Sequence, residues 1–355
     1  MIGDFTLGAA FGRPGFDVIA VTSDTTIGAQ GPMTQVIRSL EKIGEDRLAA
    51  PFAFHTFKIA DNESPFPADR VFYTSNYYQD LGDSTVLMRH ALGFEAVDMN
   101  GRTSIGMRLP FFAVNSDSAQ FAGAAVGTYG DDADVHGDIG DLAIVLKHAL
   151  WLEPGRSART IGLAGVAPTG PRTIGEVRSL YEIEDVRHDG TIQPFVGFFE
   201  GEGRGEGWFL QGFSSLDSPF DDGDATLWYN DLAIGYSFRR SPADWITRIT
   251  PVAELHSTVA LDDRIHPLSP SATLREILLS TIPVSPNTTA IGASADFMGA
   301  SVEYHAQLNA TVGVTLELSG VSTLTLAGTA PLLGPHPYDV EAQLQFNYYF
   351  GSVGQ

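Results

Sequence analysis

Few stretches of this sequence combine residues that could bind a metal ion. The segment DADVHGDIGDLA, which begins at Asp132, resembles the first half of a calcium-binding loop. Its fifth position is His136, however, and Ala143 stands at the twelfth position, where such a loop carries a bidentate carboxylate. A solvated loop is the better interpretation, so we expect no metal site.

Hydrolytic chemistry would need a nucleophile beside a general base, and the sequence offers no such local pair. The motifs of serine hydrolases, P-loop enzymes and zinc proteases are absent. His256 and Ser257 are adjacent, but in an extended strand their side chains point to opposite faces. The chain has no cysteine, which fits an oxidising compartment such as the bacterial envelope. We therefore expect a protein that is not an enzyme and needs no cofactor.

Charged and amide side chains recur at alternate positions of segments whose other positions are apolar. If the apolar faces contact lipid, the polar residues line the lumen of a β-barrel. The lumen-facing candidates are Arg89, Glu95, Arg108, Asp141, Lys147, Asp231, Arg239, Glu254, His256, Glu317, Gln343, Gln345 and Asn347. Because both signs of charge occur, many of these residues are expected to pair and brace a narrow interior. A role in transport is the alternative for each.

Such residues need strands to position them, and the alternation predicts twelve. The best-defined pair flanks Asn100-Gly101, a dipeptide typical of tight hairpin turns. A single register places Leu92 opposite Leu109 and sorts both strands into an apolar face and a mostly small or polar face. The predicted strands are about 69–79, 85–98, 102–113, 138–152, 158–168, 190–199, 207–214, 226–239, 246–260, 306–318, 322–331 and 339–350.

The connections between the predicted strands alternate in length. Segments such as 99–101 and 319–321 are short, whereas 114–137, 169–189 and 261–305 are long, and acidic residues crowd the long loops. This segregation is typical of outer-membrane barrels. The predicted fold is therefore all-β: a transmembrane antiparallel up-and-down β-barrel of about 12 strands, with short periplasmic turns and long acidic extracellular loops. A soluble β-sandwich that binds a ligand is the alternative.

The composition is compatible with this fold. Hydrophobic residues make up 43% of the chain, and the mean hydropathy is +0.01. No apolar run approaches the roughly 20 residues of a spanning helix. The formal net charge of −22 repels nucleic acid, so we expect no nucleic-acid partner.

Three regions differ in pattern. Residues 67–350 form the predicted barrel, and residues 351–355 form a C-terminal tail. Residues 1–66 contain too few apolar residues for a core of their own, so they are expected to be an N-terminal extension that lies in the periplasm or plugs the lumen. Within that extension, residues 32–46 have weakly helical spacing.

Six segments carry a resemblance to a known family. They are KIADNESPFPADRVFYTSNYYQDLG (58–82), LGFEAVDMNGRTSIGMRLPF (92–111), GDLAIVLKHAL (140–150), VAPTGP (166–171), ITPVAELHSTV (249–259) and GTAPLLGPHPYDVEAQLQFNYYF (328–350). In this order they resemble the outer-membrane barrels grouped under the name "MetA-pathway of phenol degradation", or simply "transporter", in the versions from planctomycete-type bacteria.

The resemblance implies a monomeric outer-membrane barrel of roughly twelve strands that is a pore or transporter for small compounds, aromatic ones included. No catalytic or ligand-binding residues are established for that family, so none is carried over. Two departures stand out: the loop at 261–305 is longer, and five residues follow Phe350, where family members usually end.

The predicted function is thus an outer-membrane channel or transporter for small compounds, with aromatic or hydrophobic compounds as candidates. A structural barrel with a blocked lumen is the alternative. Expected partners are outer-membrane lipid, a small-molecule solute and the barrel-insertion machinery, which recognises a terminal aromatic strand such as the one that ends at Phe350. The opening MIGDF lacks the features of a signal peptide. Either the protein is not exported or a leader precedes Met1, and we expect the second.

Overall fold

The structure is a computed structural model, and its described residues form strands, turns and extended segments. The described ranges are 1–2, 16–26, 34–46, 57–81, 85–116, 120–123, 135–170, 173–177, 181–183, 189–202, 205–220, 225–262, 269–270, 306–334 and 338–350. Within these ranges no helix is long and apolar enough to cross a membrane.

Twelve antiparallel strands in the described part of the chain form one closed barrel. They are β1 (Arg70–Leu81), β2 (Thr85–Val97), β3 (Thr103–Ser116), β4 (Leu142–Glu153), β5 (Ser157–Ala167), β6 (Thr191–Gly201), β7 (Gly207–Pro219), β8 (Leu227–Arg239), β9 (Ile246–Ala260), β10 (Ala306–Leu318), β11 (Ser322–Leu333) and β12 (Val340–Tyr349). Each strand pairs with the next, and β12 pairs with β1, for example Gln345 with Thr74. The predicted fold class is confirmed, and the single closed sheet excludes the β-sandwich, which needs two packed sheets.

The predicted register of the hairpin formed by β2 and β3 is confirmed. Leu92 lies opposite Leu109, and Gly101 adopts a φ of 72° in the turn, a conformation that glycine tolerates without strain. The Asp98 carboxylate accepts hydrogen bonds from the backbone N–H groups of Thr103 and Arg102, each at 3.1 Å. These bonds, with that from Thr103 foremost, hold the pKa of Asp98 below its ordinary value of 3.8.

The outer face of the barrel is apolar. In β8 the side chains of Trp228, Leu232 and Ile234 are 44% to 48% exposed, while Tyr229 and Ala233 between them are buried. Water would oppose a continuous belt of this kind, whereas lipid tails solvate it. The alternation follows from the two-residue period of a strand whose one face meets lipid and whose other face meets the lumen.

The connections show the predicted asymmetry. Short turns such as 98–102 and 319–321 join strands at one end of the barrel. At the other end, parts of the long connections pair with one another in a separate four-stranded sheet formed by Gln120–Gly123, Thr173–Val177, Tyr181–Ile183 and Ser269–Pro270. Most acidic residues predicted for the long loops lie outside the described residues, as does the tail at 351–355.

In the N-terminal region, Phe16–Thr26 and Thr34–Asp46 form an antiparallel pair with two register shifts. The helical spacing inferred for 32–46 was therefore wrong. The apolar residues Val36, Ile37, Leu40 and Ile43 match a helical period, but a neighbouring strand rich in β-branched residues offers backbone pairing that outweighs this weak signal. A strand extension is also present in the barrel, where Val135–Ile139 continues the line of β4 along β3.

Candidate functional site in the barrel lumen

The lumen-facing candidates differ in burial. Eleven of the thirteen are buried: Arg89, Glu95, Arg108, Asp141, Lys147, Asp231, Glu254, His256, Gln343, Gln345 and Asn347. Glu317 is partly buried beside Arg248 at 2.6 Å, and Arg239 is exposed at the end of β8. Since the outward positions of the same strands are exposed and apolar, the buried set lies on the inner face of the wall.

A segment that precedes β1 occupies the space these residues surround. Residues 57–66, here called the lumen segment, have the sequence FKIADNESPF. Its charged residues Lys58, Asp61 and Glu63 are at most 5% exposed. The segment turns at Asn62, whose φ of 51° is one that asparagine tolerates better than most residues. The lumen segment thus presents charges to the wall from inside the barrel.

Glu63 is bound by cations from three strands. Its carboxylate lies 2.7 Å from Lys147 Nζ, 2.9 Å from Arg108 Nη2 and 3.2 Å from Arg70 Nη2. A buried carboxylate is costly unless charged partners and hydrogen bonds replace water, and these three groups do so. Glu63 is therefore the main anchor of the lumen segment on this side.

Two further acids complete the pairing of that wall. Asp61 lies 3.0 Å from Arg89, and Glu95 on β2 lies 3.0 Å from Arg70 and 2.8 Å from Lys147. We call the four cations Arg70, Arg89, Arg108 and Lys147 of β1 to β4 the basic pole. Of these three carboxylates, the lumen segment supplies two.

The opposite wall carries the reverse charge. Asp231 on β8 with Glu254 and His256 on β9 forms what we call the acidic pole. Lys58 Nζ lies 2.7 Å from Asp231 Oδ1, and His256 Nδ1 lies 2.9 Å from the same oxygen. At Glu254 the carboxylate accepts the backbone N–H of Ile2 at 2.8 Å. The lumen segment therefore spans the lumen with a cation toward the acids and acids toward the cations.

At one part of the acidic pole, a hydroxyl, an imidazole and a carboxylate are in hydrogen-bond contact, as in the catalytic triads of hydrolases. His256 Nε2 lies 3.1 Å from Thr311 Oγ1, so a hydroxyl, an imidazole and the Asp231 carboxylate follow one another. The hydroxyl, however, is fully buried and also bonds Thr329 Oγ1 at 2.6 Å, and Lys58 already holds the carboxylate. The arrangement fastens strands and the lumen segment together and leaves a substrate no access to the hydroxyl.

Apolar contacts hold the lumen segment against a third part of the wall. Phe57 and Ile59 are buried in a cluster with Val145, Phe195 and Phe213. The guanidinium of Arg108 also lies over the Phe57 ring, 4.9 Å from its centroid. These contacts add shape-specific packing to the ion pairs.

A cavity of about 200 Å³ remains between the lumen segment and the short-turn end of the barrel. Hydroxyl, amide and aromatic side chains line most of it, among them Ser237, Thr250, Thr325, Gln211, Gln345, Phe199 and Phe209. The two phenylalanine rings are stacked with centroids 5.3 Å apart. Its charged lining groups are engaged. Arg248 pairs with Glu317, and Arg70 pairs with Glu63 and Glu95. The Glu254 carboxylate accepts the backbone N–H of Ile2, and the Met1 ammonium donates to the Glu63 carbonyl oxygen. The cavity is thus polar but offers no isolated charge.

The sequence reasoning missed several of these residues. Lys58, Asp61 and Glu63 lie in a segment without alternation, and Arg70 stands at the very start of a strand. The available signal was a run of charges and prolines directly before the first barrel strand. Among the described residues, no group of three or more histidine or acidic side chains could hold a metal ion.

Neither protein-family models nor curated protein sequences match the chain. Among solved structures, the COG4313 outer membrane channel from Pseudomonas putida F1 is similar, with a TM-score of 0.51, 13% identity, and coverage of 83% of this chain and 100% of that one. The NanC porin has a TM-score of 0.41 and 7% identity over 79% of this chain and 99% of its own. The monoaromatic hydrocarbon channel CymD has a TM-score of 0.39 and 8% identity over 81% and 90%. The first of these likenesses shows that the chain has the fold of an outer-membrane β-barrel, and the family resemblance noted above stays a prediction.

Proposed function

We propose that the protein is an outer-membrane channel for small uncharged compounds, aromatic or hydrophobic ones among them, and that the lumen segment is its plug. The observation that carries this proposal is the pairing of the lumen segment with both poles, through Glu63 to Lys147 and through Lys58 to Asp231. The exposed apolar belt and the barrel fold support a place in the outer membrane of a Gram-negative envelope.

The chemistry of the lumen favours a channel over a purely structural barrel. A barrel that only needed stability could fill its interior with apolar side chains, because buried ion pairs contribute little net stability compared with well-packed hydrocarbon. Here the inner wall is charged or polar on most strands. Water or solute can take over these polar contacts when the lumen segment moves, whereas an apolar filling has no such substitute.

The cavity on the short-turn side supports the solute class. Its volume of about 200 Å³ exceeds the roughly 150 Å³ of a cavity that holds benzene. The stacked Phe199 and Phe209 rings offer an apolar wall, and the threonine and glutamine side chains offer hydrogen bonds. Because its charges are already paired, an ion would gain little there and would lose its hydration. A neutral, partly apolar solute fits this lining best.

The test compares the wild-type protein with the double variant Asp61→Asn/Glu63→Gln in planar bilayers and in liposomes loaded for solute uptake. We expect low conductance from the wild type and a clear increase from the variant, with faster uptake of a neutral aromatic alcohol. Glu200→Gln is the matched control, because Glu200 pairs with Arg159 at 3.7 Å on the exposed surface and should change nothing.

Folding is monitored by the heat-dependent gel mobility typical of barrels. If a folded double variant and the wild type both fail to conduct ions and to pass the solute, the protein is a structural barrel with a blocked lumen.

A further inference from the structure

A row of polar side chains crosses the lipid-facing surface of the barrel. Strand register places Ser214 of β7 opposite Asn230 of β8, and Asn230 opposite Ser257 of β9. All three belong to the outward-facing positions of their strands, between exposed residues such as Leu232 and Leu255. Three adjacent polar residues are unusual on a surface that is mostly apolar.

Apolar rows lie on both sides of this polar row. Toward the long-loop end, Leu216 pairs with Trp228 and Trp228 with Val259. Toward the short-turn end, Leu232 pairs with Leu255. The polar row is therefore flanked by apolar residues on both sides and faces lipid, one apolar row from the long-loop ends of β8 and β9.

The row forms the floor of a groove of about 470 Å³. Its walls are the larger side chains of the neighbouring positions, Val196, Phe198, Leu232, Leu255 and Leu308. Serine is much smaller than leucine or phenylalanine, which creates the depression. Asp231 also borders the groove through its strand, but its carboxylate is turned to Lys58 and His256 in the lumen. The outward side chains of the groove are therefore uncharged.

Only some of the polar groups in this row form hydrogen bonds. Trp228 Nε1 donates to Ser214 Oγ at 3.0 Å, and Ser214 Oγ donates to Asn230 Oδ1 at 2.8 Å. In the described part of the chain, the Asn230 amide nitrogen and the Ser257 hydroxyl have no hydrogen-bond partner. Polar groups left without partners in hydrocarbon are costly, so a ligand with an acceptor oxygen would be stabilised here.

Depth identifies the source of that oxygen. Asn230 lies three residues from the Leu227 end of β8, and Ser257 lies three residues from the Ala260 end of β9. With about 3.3 Å per residue and a strand tilt near 40°, this is roughly 8 Å below the strand ends. With these strand ends at the outer surface of the head groups, that depth is the boundary of the hydrocarbon core, where the ester oxygens of acyl chains lie.

We propose that this groove binds one acyl chain of a membrane lipid in the leaflet next to the long loops. The Asn230 amide and the Ser257 hydroxyl donate hydrogen bonds to the ester carbonyl oxygen at the head of that chain, and the chain lies along Leu232 and Leu255. A phosphate group is not the ligand, because no outward cation lines the groove.

The experiment measures lipid retention by native mass spectrometry of the full chain, purified in detergent with a defined diester phospholipid. We expect one retained lipid on the wild type and about tenfold lower retention for Asn230→Leu/Ser257→Ala, the loss that two neutral hydrogen bonds would cause. Ser75→Ala is the matched control, since Ser75 is an outward-facing serine of β1 outside the groove. A second arm uses a diether lipid, which lacks the ester carbonyl and should be retained more weakly by the wild type.

Equal retention by the wild type and the double variant would overturn the proposal, as would an equal loss in Ser75→Ala. Equal retention of diester and diether lipids would show that an ester carbonyl is not the acceptor of these hydrogen bonds and would also contradict it. Both substitutions at the groove make the surface more apolar, so the barrel should still fold, and gel mobility checks this.

Discussion

Outward-facing apolar residues of one strand lie at different depths, and the same substitution should therefore have different costs. Leu146 and Leu150 are both on the outer face of β4, with 50% and 56% exposure, but Leu146 lies near the middle of the strand and Leu150 near the short turn. We expect Leu146→Arg to destabilise the barrel by about 2–4 kcal/mol, because the guanidinium would enter hydrocarbon, and Leu150→Arg by about 0–1 kcal/mol. Urea unfolding in lipid vesicles, followed by tryptophan emission, measures both.

Equal costs at the two positions would mean that the two residues of β4 do not differ in their depth in the membrane.

The polar positions of the lumen wall could be predicted only in part from single residues. A charged residue at an inward position of an alternating strand already indicates a polar lumen, as at Asp231. Its partner Lys58 lies 173 positions away in a segment without a pattern. No local rule connects such a pair.

At the scale of strands, inward-facing glycines lie beneath aromatic rings of the neighbouring strand. The ring of Phe195 on β6 covers Gly162 on β5, and the pairs Phe72 with Gly93 and Phe213 with Gly197 repeat the arrangement. The missing side chain leaves room for a ring to lie flat on the backbone, which fixes where each aromatic residue can sit in a narrow lumen.

This arrangement predicts a difference between two glycines of β5. A methyl group at Gly162 would overlap the Phe195 ring and lie 2.5 Å from the Leu146 carbonyl oxygen, whereas at Gly165 the nearest atom is 3.8 Å away. We expect Gly162→Ala to lower the unfolding free energy by about 1–3 kcal/mol, as overpacking does. Gly165→Ala should be neutral, so similar losses in urea unfolding would argue against ring packing as the cause.

Strands were the most predictable level of this fold. A strand that has lipid on one face and a polar lumen on the other alternates strictly between apolar and polar residues. A register error of one residue would exchange the two faces. Thus Leu92 could be placed opposite Leu109 from the sequence. Thr34–Asp46 could not be read in this way, because its pairing with Phe16–Thr26 contains register shifts that break the two-residue period.

In the whole molecule, positively and negatively charged side chains lie on opposite walls of the lumen. Arg89, Arg108 and Lys147 stand on one wall, and Asp231 and Glu254 stand on the other. The lumen segment lies between these walls with its carboxylates toward the cations and Lys58 toward the carboxylates, so it pairs with both walls at once. A passage opened by altering the lumen segment would therefore have a field that depends on which of its charges was removed.

This division yields opposite ion preferences for two variants of the lumen segment. Asp61→Asn/Glu63→Gln removes two of the carboxylates that pair with the basic pole and leaves Glu95 beside Arg70 and Lys147. The basic pole gains net positive charge, so we expect the reversal potential in a salt gradient to shift toward anions. Lys58→Met leaves Asp231 without its ammonium partner, with His256 still 2.9 Å away, so the shift should be toward cations. Shifts of both variants in the same direction, or of neither in a folded and conducting barrel, would show that ions do not pass between the two poles. Opposite shifts would mean that the ion path runs through the space that residues 57–66 fill in this structure.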